Sequence, residues 1–264
     1  MATVRLVGQH IAYSASPAMQ AAAFAMLGLD HHYELADVDA SELPAAADAM
    51  RDVDVLGANV TAPHKAAVMD LLDDIDSVAA DAGAVNTIVS RERRLVGSNT
   101  DVPAIADEIR RLRPAPQNVV VLGAGGAARA VQVALKSIRA PHVTLVSPSG
   151  RDGAASWLDL PRLLAAADLL VNATPVGTNR DESPVEPSLL HQGLALIDLV
   201  YRPSPTRLVH EARACGLQAR AGAGALLGQG WRSLEAWLGI TVGDEVKRAM
   251  ADALSAELGA GADV

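Results

Sequence analysis

Polar and charged residues that could bind a ligand or move a proton occur in four short segments of the first hundred residues. These segments are Ser14–Pro17, Gly57–Lys65, Gly83–Thr87 and Gly97–Asp101. Each lies where a predicted strand ends or a predicted helix begins, which is where open α/β sheets bind ligands. Amides and hydroxyls at such places can bind a polar ligand, because an unpartnered buried polar group costs about 1–3 kcal/mol. The same segments contain a lysine, Lys65, and an aspartate, Asp101, whose side chains are of types that can transfer protons.

Each of these residues has a simpler interpretation when it is taken alone. A serine before a proline, as in Ser16-Pro17, is more often a helix cap than a ligand contact. Asn59 alone is typical of a turn, and Asp101 alone of a helix N-cap. Lys65 alone would be a solvated lysine in a first helical turn. The functional interpretation therefore depends on all four segments occurring together.

A glycine-rich turn follows an apolar strand in the second half of the chain. Gly123, Gly125 and Ala128 fit the pattern G-x-G-x-x-G/A between that strand and a helix. The first glycine permits a tight turn, the second lets the backbone approach a pyrophosphate, and the small third residue allows close packing. The pattern predicts a dinucleotide site, with a merely structural turn as the alternative. The predicted contacts in the turn are Gly123, Ala124, Gly125, Gly126 and Ala127.

The end of the next predicted strand bears on which dinucleotide would bind. NAD sites usually carry Asp or Glu there, about 20 residues past the glycines. This chain has Ser147, Ser149 and Arg151 instead, and these residues could hold a 2′-phosphate. We therefore predict NADP as the cofactor, with NAD possible. The alternative is an ordinary turn with a solvated arginine.

The elements that must position these residues alternate between strand and helix. Strands are predicted at Thr3–Val7, His32–Asp37, Val55–Val60, Val85–Ser90, Leu95–Ser98, Asn118–Leu122, His142–Val146, Leu169–Asn172 and Leu194–Asp198. Helices are predicted at Pro17–Leu27, Ser41–Met50, His64–Leu72, Asp101–Arg113, Ala127–Ser137, Pro161–Ala167, Thr206–Cys215, Leu226–Leu238 and Val242–Leu258. This alternation predicts parallel strands and the α/β class.

Composition excludes several classes of function. The 264 residues carry 22 Lys and Arg against 31 Asp and Glu, a net charge of −9, and only 3% are aromatic, so we expect no nucleic-acid partner. The single cysteine, Cys215, excludes an intramolecular disulfide and cysteine-based metal clusters, and we predict no metal site. No apolar run approaches the ~20 residues of a membrane helix, so we expect a cytoplasmic protein without a membrane partner.

Taken in order along the chain, the four segments, the glycine-rich turn and three later motifs resemble the shikimate dehydrogenase family, which includes the quinate/shikimate dehydrogenases. The later motifs are Asn172–Gly177, Asp198–Pro203 and Gly222–Gln229. The match runs from Gly8 to about Gly239, which is nearly the whole chain. No single motif is decisive, but the ordered set is specific.

The resemblance implies roles for individual residues. Ser14 and Ser16 match the paired serines that hold the substrate carboxylate, and Lys65 and Asp101 match the catalytic pair. Tyr201 matches a tyrosine that lines the cleft. The positions that match contacts to the substrate hydroxyls are Asn59, Thr61, Asn86 and Gln229. The further cofactor contacts are Asn172, Ala173 and Thr174.

The resemblance also implies two α/β domains. Residues 1–101 with 223–264 would form the substrate domain, and residues 102–222 a Rossmann dinucleotide-binding domain, with both ligands in the cleft between them. The implied reaction interconverts shikimate and 3-dehydroshikimate with NADP, in the chorismate pathway of aromatic amino acid biosynthesis. We expect a monomer or a homodimer acting on a small-molecule substrate.

Some residues depart from the family's usual pattern. Tyr13 stands where histidine is common, and Val102-Pro103 follow the catalytic aspartate where glycine is common. The usual Asn-Arg-Thr turn of NADP-type members is replaced by Ser147-Pro148-Ser149. Three alternatives therefore stay open: an NAD-using quinate/shikimate dehydrogenase, a paralogue acting on a shikimate analogue, and a non-catalytic metabolite or dinucleotide sensor.

Overall fold

The computed structural model of the protein describes residues 1–148, 150, 153–178 and 180–259, and the described chain divides into two compact units. Among these residues, unit 1 comprises Met1–Asp101 and Leu227–Glu257, and unit 2 comprises Val102–Leu226 with Leu258 and Gly259. Both units combine helices with a sheet, which confirms the predicted α/β class. The boundary predicted after residue 222 precedes a helix, whereas the division falls inside that helix, after Leu226.

Unit 1 contains a mixed sheet with the strand order β2-β1-β3-β5-β6-β4. The strands are β1 (Ala2–Gly8), β2 (His31–Asp37), β3 (Val55–Val60), β4 (Asp74–Ile75), β5 (Thr87–Arg91) and β6 (Arg94–Ser98). The expectation of parallel strands is wrong for β5, which runs antiparallel to β3 and β6. The reason is a two-residue hairpin turn at Glu92 and Arg93, whose φ angles of 50° and 64° suit a tight connection.

The helices of unit 1 include α1 (Ser16–Met26), α2 (Leu43–Asp48) and α3 (Ser77–Ala82), with the first residue of α4 (Asp101–Leu112), most of α8 (Ala223–Leu238) and α9 (Asp244–Leu258). Short 3-10 helices lie at Ala49–Arg51 and Ala67–Leu71. Gly28 closes α1 as its position predicts: its φ is +67°, and the N–H of Leu29 bonds back to the Phe24 carbonyl at 2.9 Å. An apolar core that includes Val7, Val60 and Ile88 packs beside the sheet.

The helix predicted over His64–Leu72 is wrong, since only Ala67–Leu71 is helical and is of the 3-10 type. The Lys65 carbonyl accepts the N–H of Val85 at 2.8 Å, so it is used outside the segment. The N–H of Met69 bonds instead to the Ala66 carbonyl, three residues back. A tertiary hydrogen bond thus takes the place of one bond that an α-helix would need.

Unit 2 contains a wholly parallel sheet with the order β12-β11-β10-β7-β8-β9. Its strands are β7 (Asn118–Leu122), β8 (His142–Ser147), β9 (Ala155–Ser156), β10 (Leu169–Asn172), β11 (Ala195–Asp198) and β12 (Ala219–Arg220). Counted along unit 2 and read from the β9 edge, this order is 3-2-1-4-5-6, that of a Rossmann fold. Every residue of β10 and β11 is buried, as in a parallel sheet covered on both faces.

The helices of unit 2 are the rest of α4, α5 (Gly126–Ser137), α6 (Leu160–Leu164), α7 (Arg207–Ala214) and the start of α8, with 3-10 helices at Trp157–Asp159 and Pro187–Leu189. Leu122, Leu170 and Leu196, from three neighbouring strands, belong to one apolar core cluster of this unit. In the described part of the chain, no helix combines the length and apolar character that crossing a membrane requires.

Candidate active site

The register of the unit 1 sheet brings the predicted amide residues to one edge. Asn59, near the end of β3, pairs with Thr87 at the start of β5, and Thr87 pairs with Ser98 at the end of β6. Because β5 runs opposite to its neighbours, its first residue lies at the edge where β3 and β6 end. Asn86 precedes Thr87 and therefore lies close to Asn59.

Five buried polar residues form one hydrogen-bonded group at this edge, which we call the polar cluster. Its members are Asn59, Asn86, Thr87, Thr100 and Ser233, and each is at most 7% exposed. Asn59 Nδ2 donates to the Asn86 carbonyl and to Ser233 Oγ, both at 3.0 Å. Asn86 Nδ2 donates to Thr100 Oγ1 at 2.9 Å, while Asn86 Oδ1 accepts the Thr100 N–H at 2.7 Å. Both asparagine amides are thus held by neighbouring groups.

A tyrosine on β2 fixes the other end of the Asn59 amide. The hydroxyl of Tyr33 donates to Asn59 Oδ1 at 2.8 Å. The amide oxygen of Asn59 therefore faces Tyr33, and its nitrogen faces the polar cluster. This arrangement satisfies a buried amide on both sides, as buried polar groups require.

Lys65 and Asp101 form an ion pair beside the polar cluster. Lys65 Nζ donates to Asp101 Oδ2 at 2.7 Å, and the two side chains are 31% and 21% exposed. Asp101 is the first residue of α4 and directly follows Thr100. The Lys65 carbonyl bonds to the N–H of Val85, which precedes Asn86. A half-buried lysine and carboxylate within hydrogen-bond distance can exchange a proton with a ligand and with water.

Ser14 and Ser16 lie at the start of α1. The helix begins at Ser16 rather than Pro17, and Ala15 at its N-cap makes no side-chain cap bond, so the expected Ser16 cap is wrong. The reason is that Ser14 Oγ accepts the N–H of Ser16, at 3.2 Å, two residues away. Ser16 is 6% exposed.

Two hydrogen bonds show where Gln229 and Thr61, the remaining predicted substrate residues of unit 1, lie. Gln20 of α1 donates from Nε2 to the Gly230 carbonyl at 3.0 Å, which joins the helix of the serines to the turn of α8 that carries Gln229. The N–H of Thr61, the residue after β3, donates to the Val7 carbonyl at 2.8 Å, so Thr61 lies beside the end of β1. Tyr201, in contrast, belongs to unit 2, where it follows β11 and is half-buried.

In unit 2 the glycine-rich turn joins β7 to α5. Gly123 has a φ of +110°, and a Cβ there would lie 3.0 Å from the Ala173 carbonyl oxygen. Gly125 is the N-cap of α5 and offers no side chain to its first N–H groups. Residues 124–127 are exposed, and nothing lies within 4 Å of a Cβ built on Gly125. This bare backbone at a helix start fits the pyrophosphate of a dinucleotide.

A buried carboxylate orders the loop that lies against Gly123. Asn172, at the end of β10, donates from Nδ2 to Asp198 Oδ1 at 2.8 Å. Asn172 Oδ1 accepts the N–H of Thr174 at 3.0 Å and its hydroxyl at 2.7 Å. Thr206 Oγ1 donates to Asp198 Oδ2 at 2.7 Å. Burial raises the pKa of Asp198 to about 6, although hydrogen bonds from Thr206, the Val200 N–H and Asn172 oppose that shift.

The residues predicted to select the dinucleotide lie at the end of β8. Ser147 is its last residue, is 6% exposed, and its Oγ has no hydrogen-bond partner among the described residues. Ser149 and Arg151 lie outside the described residues. Across the described chain, no group of three or more His, Cys, Asp or Glu residues is arranged to hold a metal ion.

Sequence reasoning missed several residues that build these sites. Tyr33, Thr87, Thr100 and Ser233 support the two asparagines, and Asp198 supports Asn172. Thr87 and Thr100 lie inside the motifs already singled out, so hydroxyl neighbours of the key residues were the available signal. Ser233 had a fainter signal, a hydroxyl four residues after Gln229 in an otherwise apolar helix face.

The Rossmann strand order and the open glycine turn of unit 2, together with the Lys65–Asp101 ion pair of unit 1, are typical of a nicotinamide-dependent oxidoreductase. A family model described as the shikimate dehydrogenase substrate binding domain matches residues 6–88. The shikimate dehydrogenase (NADP(+)) of Symbiobacterium thermophilum is 41% identical over 258 residues, which cover 89% of this chain and 88% of that protein. The chain belongs to the shikimate dehydrogenase family.

Solved structures give the same relationship. Shikimate 5-dehydrogenase from Thermus thermophilus, in complex with NADP(H) and shikimate, superposes with a TM-score of 0.88 at 34% identity, covering 98% of this chain and 100% of that chain. A quinate dehydrogenase from Corynebacterium glutamicum, in complex with NAD, superposes with a TM-score of 0.85 at 28% identity, covering 96% and 98%. The family fold therefore serves more than one substrate and cofactor.

Proposed function

We propose that the protein interconverts shikimate and 3-dehydroshikimate with NADP. The observation that carries the proposal is the Lys65–Asp101 ion pair, 2.7 Å long and half-buried, beside the amides and hydroxyls of the polar cluster. The names of the relatives support the choice of substrate and cofactor, since the Symbiobacterium protein is a shikimate dehydrogenase (NADP(+)) and the Thermus structure holds NADP(H) and shikimate.

Unit 1 supplies the substrate contacts in this proposal. The hydroxyls of Ser14 and Ser16 hold the carboxylate, since serine hydroxyls at a helix start can donate to an anion there. The hydroxyl groups of the substrate bond to side chains at the strand ends and on α8. These side chains are Asn59, Thr61, Asn86 and Gln229. Tyr201 of unit 2 adds a further substrate contact.

The reaction removes a hydride from ring carbon 3 of shikimate and a proton from the hydroxyl on that carbon. NADP⁺, when bound, supplies the acceptor for the hydride and so takes up two electrons. The hydroxyl proton passes to the Lys65–Asp101 pair, which is open enough to water to release it. In the reverse direction the same pair returns a proton to the carbonyl oxygen.

Unit 2 supplies the cofactor contacts. The backbone of the turn, residues 123–127, holds the pyrophosphate at the start of α5. Ser147, Ser149 and Arg151 hold the 2′-phosphate, and the loop formed by Asn172, Ala173 and Thr174 borders the nicotinamide half. The exposed turn and the absence of a side chain at Gly125 support this assignment.

A steady-state assay with shikimate and quinate, each paired with NADP and NAD, tests the proposal. We expect kcat/KM for shikimate with NADP to exceed that of every other pair by at least about 10-fold, a difference of about 1.4 kcal/mol in the transition state. Preference for quinate with NAD would contradict it in favour of a quinate dehydrogenase. Binding of ligand without turnover of either substrate would indicate a sensor.

The proposal extends to assembly and location. We propose a cytoplasmic enzyme that acts as a monomer or homodimer on a small-molecule substrate. The acidic balance of 31 Asp and Glu against 22 Lys and Arg supports the expectation of no nucleic-acid partner. Light scattering after size-exclusion chromatography measures the assembly directly.

A further inference from the structure

Ser233 is a buried hydroxyl that has no assigned part in the reaction. It lies on α8 with no exposed surface, four residues after Gln229. Its Oγ donates to the Gln229 carbonyl at 3.0 Å and accepts from Asn59 Nδ2 at 3.0 Å. The hydroxyls of Thr87 and Thr100 lie 2.8 and 3.2 Å away. One side chain thus contacts groups on β3, β5, the residue before α4 and its own helix.

Counting protons shows how Ser233 uses its hydrogen and its lone pairs. A hydroxyl has one hydrogen to donate and two lone pairs that accept. Since Ser233 donates to the Gln229 carbonyl, it accepts from Asn59 and has one lone pair left for the hydroxyl of Thr87 or of Thr100. The hydroxyls of Thr87 and Thr100 lie 3.1 Å from each other, and Thr100 Oγ1 accepts from Asn86 Nδ2 at 2.9 Å. Asn86 Oδ1 is within reach of both hydroxyls, 3.1 Å from that of Thr87 and 3.2 Å from that of Thr100.

The result is a chain of hydrogen-bonded groups that connects Asn86 through Thr100, Thr87 and Ser233 to the backbone of Gln229. Bonds in such a chain polarise one another, so each link strengthens the next. Asn86 and Gln229 lie far apart in sequence, and Asn59 joins the same chain through Ser233. All these residues belong to unit 1.

We propose that Ser233 is a positioning residue that sets how three predicted substrate contacts, Asn59, Asn86 and Gln229, are placed relative to one another. The inference rests on the proposed function, because it takes those three residues as contacts to substrate hydroxyls. It adds a determinant of specificity for a polyhydroxylated ring acid. Ser233 acts through its neighbours and does not itself touch the substrate.

Removing the hydroxyl tests this proposal. We expect Ser233→Ala to raise KM for shikimate about 10-fold with less than about a 3-fold change in kcat, and to leave KM for NADP unchanged. Thr87→Val, which keeps the side-chain shape but breaks the next link, should have a similar effect. Thr87→Ser keeps a hydroxyl and should restore most of the affinity. Steady-state kinetics and calorimetric titration with shikimate measure these effects.

Two further variants separate positioning from general loss of stability. Ser98→Ala removes a hydroxyl at the same sheet edge whose contact, to the Thr87 carbonyl at 3.4 Å, lies outside the chain. It should leave KM for shikimate unchanged. The double variant Ser233→Ala/Thr87→Val should bind shikimate at most about 2-fold more weakly than either single variant, because both substitutions break the same chain.

The proposal would be overturned if Ser233→Ala and Thr87→Val lowered Tm but left KM for shikimate at the wild-type value, or if their effects multiplied in the double variant. If the wild-type protein neither turned over nor bound shikimate, the proposed function would be refuted. The role of Ser233 could then still be tested by a measurement that needs no substrate. In ¹⁵N–¹H spectra the Asn86 side-chain amide should shift in both variants and return in Thr87→Ser. An unmoved resonance would refute the chain itself.

Discussion

Both units place their candidate ligand-binding groups at the ends of strands, but they present different kinds of atoms there. In unit 1 the groups are side-chain amides, hydroxyls and an ion pair, each held by another side chain, as Asn59 is held by Tyr33 and Ser233. In unit 2 the main surface is the exposed backbone of residues 124–127, and Asp198 orders the adjoining loop through its bond with Asn172. A ring with several hydroxyls needs fixed side chains, whereas a pyrophosphate needs room and N–H groups.

The contrast predicts that substitutions in unit 1 alter the chemistry and substrate affinity, and that those in unit 2 alter cofactor affinity. The largest effect is expected at Lys65. Lys65→Ala should lower kcat by ~10²–10⁴-fold with weaker effects on substrate binding, because the reaction loses its proton relay. Lys136→Ala, an exposed lysine of α5 in unit 2, is the matched control. Full turnover by Lys65→Ala would show that Lys65 is not catalytic.

Asp198 should make the stability of the protein depend on pH in an unusual direction. Its pKa is about 6 in the folded protein against an ordinary 3.8, so the folded state retains the proton longer than the unfolded chain does. This difference in pKa stabilises the folded state by at most about 3 kcal/mol. The stabilisation is fully present below about pH 4 and is lost as pH rises to about 6.

Comparison with Asp198→Asn isolates this group, because the amide does not titrate. We expect the free energy of unfolding of the wild-type protein, relative to the variant, to fall between about pH 4 and pH 6 and to level off above it. Denaturant titrations across that range measure it. A difference that stays constant with pH would mean that folding does not raise the pKa of Asp198.

Substitutions at two glycines of the unit 2 turn should distinguish the effect of backbone strain from the loss of a ligand contact. Gly123→Ala should cost about 1–3 kcal/mol of stability, because its φ is +110° and the new Cβ would press on the Ala173 carbonyl. Gly125→Ala has an allowed φ of −86° and open space, so its stability should change by less than about 0.5 kcal/mol.

For Gly125→Ala, KM for NADP should nevertheless rise about 10-fold, since the methyl group would occupy space that the pyrophosphate needs. KM for shikimate should not change. An equal rise in KM for NADP and for shikimate would contradict the proposal that unit 2 binds the cofactor and unit 1 the substrate.

The smallest expected effect is at Tyr33. Tyr33→Phe removes the donor to Asn59 Oδ1, a single hydrogen bond of 2.8 Å, so stability should fall by about 1 kcal/mol. KM for shikimate should rise about 3-fold, consistent with a slightly freer Asn59 amide. Thermal unfolding and steady-state assays measure the two effects, and a change in KM for NADP instead would contradict the assignment of Asn59 to the substrate.

The sequence predicted those parts of the fold that depend on local apolar runs. The bounds of β3, β7 and β10 agree with their predicted ranges, and the glycine turn lies between a strand and a helix as expected. The β5–β6 hairpin was missed because Glu92 and Arg93 lack the glycine or asparagine that usually marks such a turn. The two-residue strands β4, β9 and β12 depend on pairing with neighbours, which local sequence does not encode.

For the site, motif spacing identified the candidate residues but not the contacts among them. The predicted roles of Lys65, Asp101 and the substrate and cofactor residues stay predictions. Their supports are long-range: Thr87 and Ser233 meet across 146 positions of sequence, and Asn172 meets Asp198 only because β10 and β11 are neighbours. Such partners follow from the fold and not from any local pattern.

Unit 2 interrupts unit 1 along the chain, and this has a consequence for protein synthesis. The first 101 residues leave the ribosome well before α8, yet that helix supplies Ser233 to the polar cluster and Trp237, whose indole N–H bonds the Ile88 carbonyl at 3.0 Å. Since domains generally fold as units while the chain is made, unit 2 can be completed first although it starts second. The nascent N-terminal segment must therefore stay competent to fold until the last helices are translated.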